Sequence, residues 1–319
     1  PARATTVRRG ITFLAAGVAL AALLVAPLFL GTWQTGIITK VLIFAILAMS
    51  LDLLMGYAGL ASLGQSAYFG AAAYTVGLLT TRLTANFWLN LGAGLAAATL
   101  LAALFGLLAL RARAVTFLMI TLALAQVVWA LASSGSAVTR GADGLPGIGR
   151  PDLGFLPWSF QDATSFYYLV FFFFVVTALV LYGIVRSPFG LALMGIRDNE
   201  LRMRALGYNT WLHLYIAFII AGAFSGLAGI MDVYFNSIVT PASAGVMISA
   251  DPMLMIILGG PATLFGAALG AAIIVPLTEV ASVLTPHWMI LLGGLFILVM
   301  VFARQGLVGV LRGKFRVFA

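Results

Sequence analysis

The ionisable residues of this chain gather in one stretch. Residues 186–209, RSPFGLALMGIRDNELRMRALGYN, hold four arginines (Arg186, Arg197, Arg202 and Arg204) and the acidic pair Asp198 and Glu200. Long apolar runs at 166–185 and 211–231 flank it. A charged helical island between such runs does no bond chemistry; it offers a docking surface. Asp198 and Glu200 each precede an arginine by four residues, a spacing that pairs them on a helix for a few tenths of a kcal/mol, ~0.3. Arg197, Glu200 and Arg204 can share one helix face, and Gly207 can end the helix as a C-cap. The plainer alternative is an inert, solvated loop.

Few other groups could do chemistry. Asp52 lies in an apolar run, where a carboxylate is a candidate for proton or ion coupling. It is also four residues before Gly56, so it sits close to the end of its span. Asp232, Asp251 and Glu279 fall toward span ends, where hydration accounts for them. His213 and His287 are distant from each other and lack carboxylate neighbours, so no metal site is expected. The one Gly-Lys, Gly313-Lys314, is followed by Phe315 and lacks the upstream glycine of a phosphate-binding loop. There are no cysteines, which removes disulfides, thiolate catalysis and cysteine metal sites. No cofactor and no enzymatic activity of its own are expected; energy would come from a partner.

The elements that carry these residues are set by composition. The chain is 63% hydrophobic and 8% charged, with mean hydropathy +1.13. A soluble domain cannot hide that much apolar surface. Apolar windows of about 20 residues recur, the length an α-helix needs to cross a bilayer. They exclude a β-barrel of alternating residues. The expected fold is all-α: a polytopic membrane protein of about 8–10 transmembrane helices with broken or re-entrant segments, one transmembrane domain over 1–319. The spans read as 11–30, 37–55, 66–81, 87–110, 115–134, 166–185, 211–235, 263–284 and 288–303, with a short apolar piece at 252–260. The 35 glycines suit close helix approach in lipid.

Net charge is +8, yet the basic residues are spread among hydrophobic spans, so no nucleic-acid partner is expected. Arg3, Arg8, Arg9, Arg111, Arg113, the four arginines of 186–209, Arg304, Arg312, Lys314 and Arg316 fall on one side; Lys40, Arg82, Arg140 and Arg150 fall on the other. The positive-inside rule then puts both termini in the cytoplasm. An even number of crossings follows. The 252–260 piece is therefore expected to join 263–284 as a broken crossing, with Pro252 and Gly259-Gly260-Pro261 interrupting it, unless another span is re-entrant. The 135–165 loop is external and turn-rich.

Residues 56–74, GYAGLASLGQSAYFGAAAY, depart from an ordinary membrane helix. Gly56, Gly59 and Gly64 break it, while Ser62, Gln65 and Tyr68 bring polar groups to membrane depth. Open backbone there is tolerated inside protein or along a wet cavity, so the segment is expected to line or gate a path. The alternative is an interfacial loop anchored by Tyr57 and Tyr68. Residues 59–70 and 259–270 are similarly glycine-spaced, a hint of two related halves.

Here a family resemblance enters. Residues 56–74 resemble the G-Y-[AT]-G-x-x-S-x-G-[HQ] pattern of the permeases of branched-chain amino-acid ABC importers, at Gly56, Tyr57, Gly59, Ser62, Gly64, Gln65 and Tyr68; Ala72 stands where glycine is frequent. RARAVTFLMITLALAQ, 111–126, resembles a second family run that includes Thr121 and Gln126, with Ala114 in place of a glycine. TRGADGLPGI, 139–148, is similar to an external loop. Arg186, Phe189, Gly190, Arg197, Asp198, Asn199, Glu200, Ala205, Leu206 and Gly207 match a cytoplasmic pattern from which Leu191, Gly195 and Met203 depart.

The resemblance implies a permease subunit of the bacterial inner membrane, forming half of a translocation path for branched-chain amino acids or a related small solute. It implies two cytoplasmic ATPase subunits, a second permease and an external substrate-binding protein as partners. Arg186 to Gly207, with Arg204, would couple to the ATPases. Gly56, Tyr57, Gly59, Ser62, Gly64, Gln65, Tyr68, Thr121 and Gln126 would line the path. Gly141, Asp143, Gly144 and Asp152 would meet the binding protein. Asp52 keeps a second expectation open, that of a self-sufficient secondary transporter; a passive channel for a small solute is the other rival.

Overall fold

The computed structural model describes residues 20–83, 86–135, 139–151, 160, 162–284, 287, 290, 293 and 294. Eleven helices are seen among them: α1 (Leu20–Phe29), α2 (Thr32–Asp52), α3 (Gln65–Arg82), α4 (Phe87–Ala109), α5 (Ala114–Ser134), α6 (Ala163–Arg186), α7 (Pro188–Asp198), α8 (Glu200–Ala205), α9 (Thr210–Asn236), α10 (Met247–Gly259) and α11 (Leu264–Leu284). The strands among the described residues are two-residue pieces, Leu145–Pro146 and Ile238–Val239, paired antiparallel. Six helices are long and apolar enough to cross a bilayer: α2 with its C-terminal π turn, α4, α5, α6, α9 and α11. The chain is an all-α polytopic membrane protein.

These six coincide with expected spans, and α3 covers the expected 66–81. The expected 11–30 is described from Leu20 onward, and 288–303 lies outside the described residues except at positions 290, 293 and 294. α2 and α9 form the centre. Nearly every residue of α2 from Val41 onward is buried, as is most of α9 beyond Leu214. Lipid-grade hydrophobicity all round a helix is what burial on every side requires.

Small residues let the backbones meet. On α9, Gly222 and Gly226 face Ala102 and Ala98 of α4, and Gly229 faces the Phe69 carbonyl of α3. The spacing of four and three keeps all three on one face. In lipid there is no water-driven force between helices, so such close packing carries association.

One expectation changes. The 252–260 piece does not continue into 263–284 as a single broken crossing. α10 and α11 lie side by side, antiparallel: Gly259 abuts Gly266, and Gly270 abuts the Met255 carbonyl. At 13 residues α10 is about 20 Å long, too short to cross alone. Pro252 sits within α10 rather than interrupting it. As the sixth residue of α10 it lies past the orphan N–H groups of the first turn, so the helix runs on with one backbone bond fewer, the one to the Ile248 carbonyl. Gly260, at φ +113, makes the turn.

The α4–α5 turn explains a departure from the family pattern. Ala114 opens α5 at φ +49, the left-handed region that favours glycine. Ala114→Gly is expected to raise stability by about 1 kcal/mol. The check is the denaturation midpoint of the purified protein in detergent; a lowered midpoint counts against strain at this residue.

Candidate coupling and translocation site

The 186–209 segment folds as two short helices, not one. Ser187 caps α7, accepting from the Gly190 N–H at 3.4 Å, and Pro188 takes the first turn where its missing N–H costs nothing. Gly190 lies so close to the Val185 carbonyl that a side chain would not fit. Asn199 then turns extended, at φ −160 and ψ 98, and its side chain caps α8 through the Arg202 N–H at 2.9 Å. The break corrects the Asp198–Arg202 pairing: Asp198 instead accepts from Arg197 at 3.1 Å. Gly207, at φ +88, ends α8, with the Tyr208 N–H bonded to the Met203 carbonyl and the Gly207 N–H to that of Arg204. This is the glycine stop expected of a Schellman cap.

Two departures from the family pattern compensate each other. A Cβ at Gly195 would stand 2.7 Å from the Met203 Sδ. Glycine at 195 thus leaves the room that methionine at 203 fills.

Glu200 is the knot of the segment. Its Oε1 accepts from Arg204 Nη2 and from Thr210 Oγ, each at 2.9 Å, and its Oε2 pairs with Arg113 at the start of α5. Partial burial and then the neighbouring Arg204 charge press the Arg113 guanidinium below its ordinary pKa. Arg186 lies over the Tyr182 ring at 4.4 Å, and Phe189 stacks on His213. Ala205 and Leu206 are exposed.

Arg197 turns away from Glu200. Its Nη1 donates to the Gly56 carbonyl at 2.6 Å. Its Cγ packs on Gly59, which sits at φ +74; a Cβ at Gly59 would stand 2.6 Å from that Cγ. Arg197, Glu200 and Arg204 do not share one open face, because the chain breaks at Asn199.

The 56–68 segment is broken as the glycines suggest. α2 loosens into a π turn at Leu53–Tyr57, and the chain is extended or bent from 58 to 64 before α3 begins at Gln65. Gly56 abuts the Asp52 carboxylate and the backbone of Ala262, so it admits no side chain. Asp52 is fully buried, and its Oδ1 accepts from the Ala262 N–H at 2.9 Å. The end of α2 and the 259–270 stretch are thus joined at Asp52 and Gly56.

Thr121 receives the segment on α5: its Oγ accepts from the Leu63 N–H at 3.2 Å, and Gly64 lies against it. Ser62 Oγ accepts from the Gly64 N–H at 3.1 Å. Ser66 N–H donates to Ser249 on α10, and Ser225 on α9 donates to the Gln65 carbonyl, both at 2.8 Å. Gly56, Tyr57, Ser62, Gly64, Gln65, Tyr68 and Thr121 are all buried within the chain; Gly59 is exposed. The Gln65 amide and the Tyr68 hydroxyl have no partner among the described residues. Gln126 is half-buried and, five residues past Thr121, lies about 140° around α5 from it. It does not join this group.

At the opposite end, Gly141–Asp143 form one 3-10 turn and Gly144, at φ +68, leads into the short strand that pairs with 238–239. Gly144 abuts the Val239 carbonyl, and Asp143 is exposed. Asp152 lies outside the described residues.

Two sets of residues escaped the sequence reading. Leu201 and Leu191 are 77% and 60% exposed, on the same segment as the expected Leu206 at 67%. The signal was present: isolated leucines among charges. The second is an ion pair, Lys40 of α2 with Glu279 of α11, with Asp232 and Asp251 within electrostatic reach of Lys40. Four helices supply these charges, so no local pattern could reveal it. Intramembrane charges persist when they pair in this way. No group of acids and histidines among the described residues could hold a metal ion.

Comparison with known proteins adds a lineage. The family described as branched-chain amino acid transport system / permease component matches residues 34–300. The chain is 30% identical over 322 residues to the high-affinity branched-chain amino acid transport system permease protein LivM of Escherichia coli (strain K12), covering 94% of this chain and 76% of the relative. It is 29% identical over 312 residues to the protein of that name from Salmonella typhimurium, covering 91% and 73%. A probable LivM of Methanocaldococcus jannaschii is 30% identical over 129 residues, 40% of this chain and 37% of the relative. No solved structure matches the chain.

Proposed function

The chain belongs to the branched-chain amino acid transport system / permease component family, and from that premise we propose that it forms half of the translocation path of an ATP-binding-cassette importer for branched-chain amino acids. A second permease chain supplies the other half. Two cytoplasmic ATPases bind nucleotide and hydrolyse it, and an external binding protein delivers substrate. The assembly sits in the bacterial inner membrane, with both termini and 186–209 on the cytoplasmic side; the distribution of basic residues supports this reading.

The observation that carries the coupling assignment is the bare apolar set on α7 and α8. Leu191, Leu201 and Leu206 are 60%, 77% and 67% exposed on the most heavily charged segment of the chain. Leucines on a lipid-facing helix need no other cover; on a polar segment outside the bilayer they mark a protein contact. Inside, the glycine-broken stretch 56–68, with Thr121 behind it, serves as the gate. Its burial suits a closed state, which ATPase closure would exchange for an open one. The exposed Asp143 and the 141–144 turn face the binding protein.

The chain has no native thiol, so Leu201→Cys gives one reporter. In proteoliposomes of the complex, leucine uptake is expected only when ATP is on the face from which an impermeant maleimide reaches the Leu201→Cys thiol once the ATPases are stripped off. Maleimide added before assembly should reduce ATPase retention. Uptake without ATP would replace this reading with a secondary transporter or a channel.

A further inference from the structure

We propose that Arg197 is an inward-acting positioning residue: it ties the docking segment to the backbone of the gate and does not itself touch the ATPase. The proposal rests on the coupling role just assigned to 186–209. Arg197 is the single arginine of α7, and its side chain leaves the segment for the membrane domain. There it meets the loosened end of α2 twice. Nη1 holds the Gly56 carbonyl at 2.6 Å, and the aliphatic stem lies on Gly59, where only glycine leaves room.

What Arg197 holds is itself a junction. Gly56 is wedged between the Asp52 carboxylate and Ala262, and Asp52 Oδ1 takes the Ala262 N–H at 2.9 Å. Ala262 lies in the turn between α10 and α11. One guanidinium therefore stands over the place where both helix-breaking stretches meet. The carbonyl it binds belongs to a π turn, where regular intrahelical bonding is already loosened. A shift of α7 would pull on that carbonyl directly. By contrast, the opposite side of the segment presents leucines, and Glu200 fastens α8 to α5 and α9. Docking and transmission thus fall to different side chains of one short segment.

The test uses the complete complex, purified through this chain, with leucine as the transported probe. Arg197→Gln is expected to leave ATPase retention unchanged and to lower the ratio of leucine uptake to ATP hydrolysis about tenfold. Arg197→Lys keeps one donor for the Gly56 carbonyl and should recover part of the ratio. Gly59→Ala keeps the arginine but puts a methyl where its stem lies, and should reproduce the loss; it decides the matter if Arg197→Gln does not purify as a monodisperse complex. A normal uptake-to-hydrolysis ratio in both variants overturns the proposal. So does loss of the ATPases from Arg197→Gln, which would place Arg197 on the docking surface while leaving the coupling role of the segment intact. If the wild-type chain itself retains no ATPase, the coupling role fails, and this proposal with it.

Discussion

Gly229→Leu is expected to yield no monodisperse protein. The α3–α9 crossing is among the closest in the fold, and at Gly229 the opposing atoms are the Phe69 carbonyl and Cα. Backbone cannot rotate aside as a side chain can. The added atoms must push α3 off α9, and α3 carries Gln65 and Tyr68 into the buried centre. Overpacking of a tight core costs about 1–3 kcal/mol when side chains absorb it, and more when backbone must move. The loss expected here is about 3 kcal/mol or more. Gly92→Leu on α4 is the control: no atom lies within 4 Å of a Cβ there. It should purify like the wild type, with a stability change of about 0.5 kcal/mol or less. Size-exclusion profiles and melting curves of the two variants in one detergent provide the comparison. A well-behaved Gly229→Leu would mean that this crossing is looser than described.

Glu200→Arg should release the docking segment. The wild-type carboxylate gathers Arg113, Arg204 and Thr210 around it. Reversal removes all three contacts and sets a third guanidinium beside two others. At 4 Å each such pair is repelled by about 1 kcal/mol in water and about 4 kcal/mol near a protein surface. α8 has six residues and no fully buried side chain, so besides Met203 against Gly195 of α7 this knot is what holds it. We expect ATPase retention and ATP-driven leucine uptake to fall together, by about tenfold or more. The membrane helices should stay folded, since none is anchored through Glu200 beyond its first turn. Glu200→Gln keeps an acceptor for Thr210 and should be intermediate. Full retention by Glu200→Arg would show that α8 needs no tether. Parallel loss of both readouts also sets this variant apart from Arg197→Gln, where uptake alone is expected to fall.

The parts of the fold that a reader of the sequence can find are those written locally. Apolar runs marked α2, α4, α5, α6, α9 and α11, because an isolated helix must be apolar along its length to enter lipid. Gly56, Gly59 and Gly64 marked the break before α3, and Gly207 marked the end of α8. The break at Asn199 was available too, since asparagine is a preferred N-cap, but the i,i+4 charge pattern across it was the louder signal. Other features were beyond local reading. Pro252 looks like an interruption, yet α10 runs through it with one backbone bond fewer. The antiparallel return of α11 along α10 rests on Gly259, Gly266 and Gly270 meeting in space. The direction taken by Arg197 depends on Gly59, and the Lys40–Glu279 pair spans 239 residues. Ala114 betrays its backbone only through φ.

The π turn at Leu53–Tyr57 has a consequence for how such chains change in length. A π turn holds one residue more than the α turn it replaces, so α2 carries the equivalent of a single insertion confined to its last turn. Removing that residue would leave the buried helix upstream intact and restore α geometry. Because the turn absorbs the extra residue, the chain from Ala58 onward would keep its heading; what would be lost is the loosened Gly56 carbonyl that Arg197 holds. One residue can therefore be lost at the end of α2 without the helices changing face, and the cost would fall on the tie to α7.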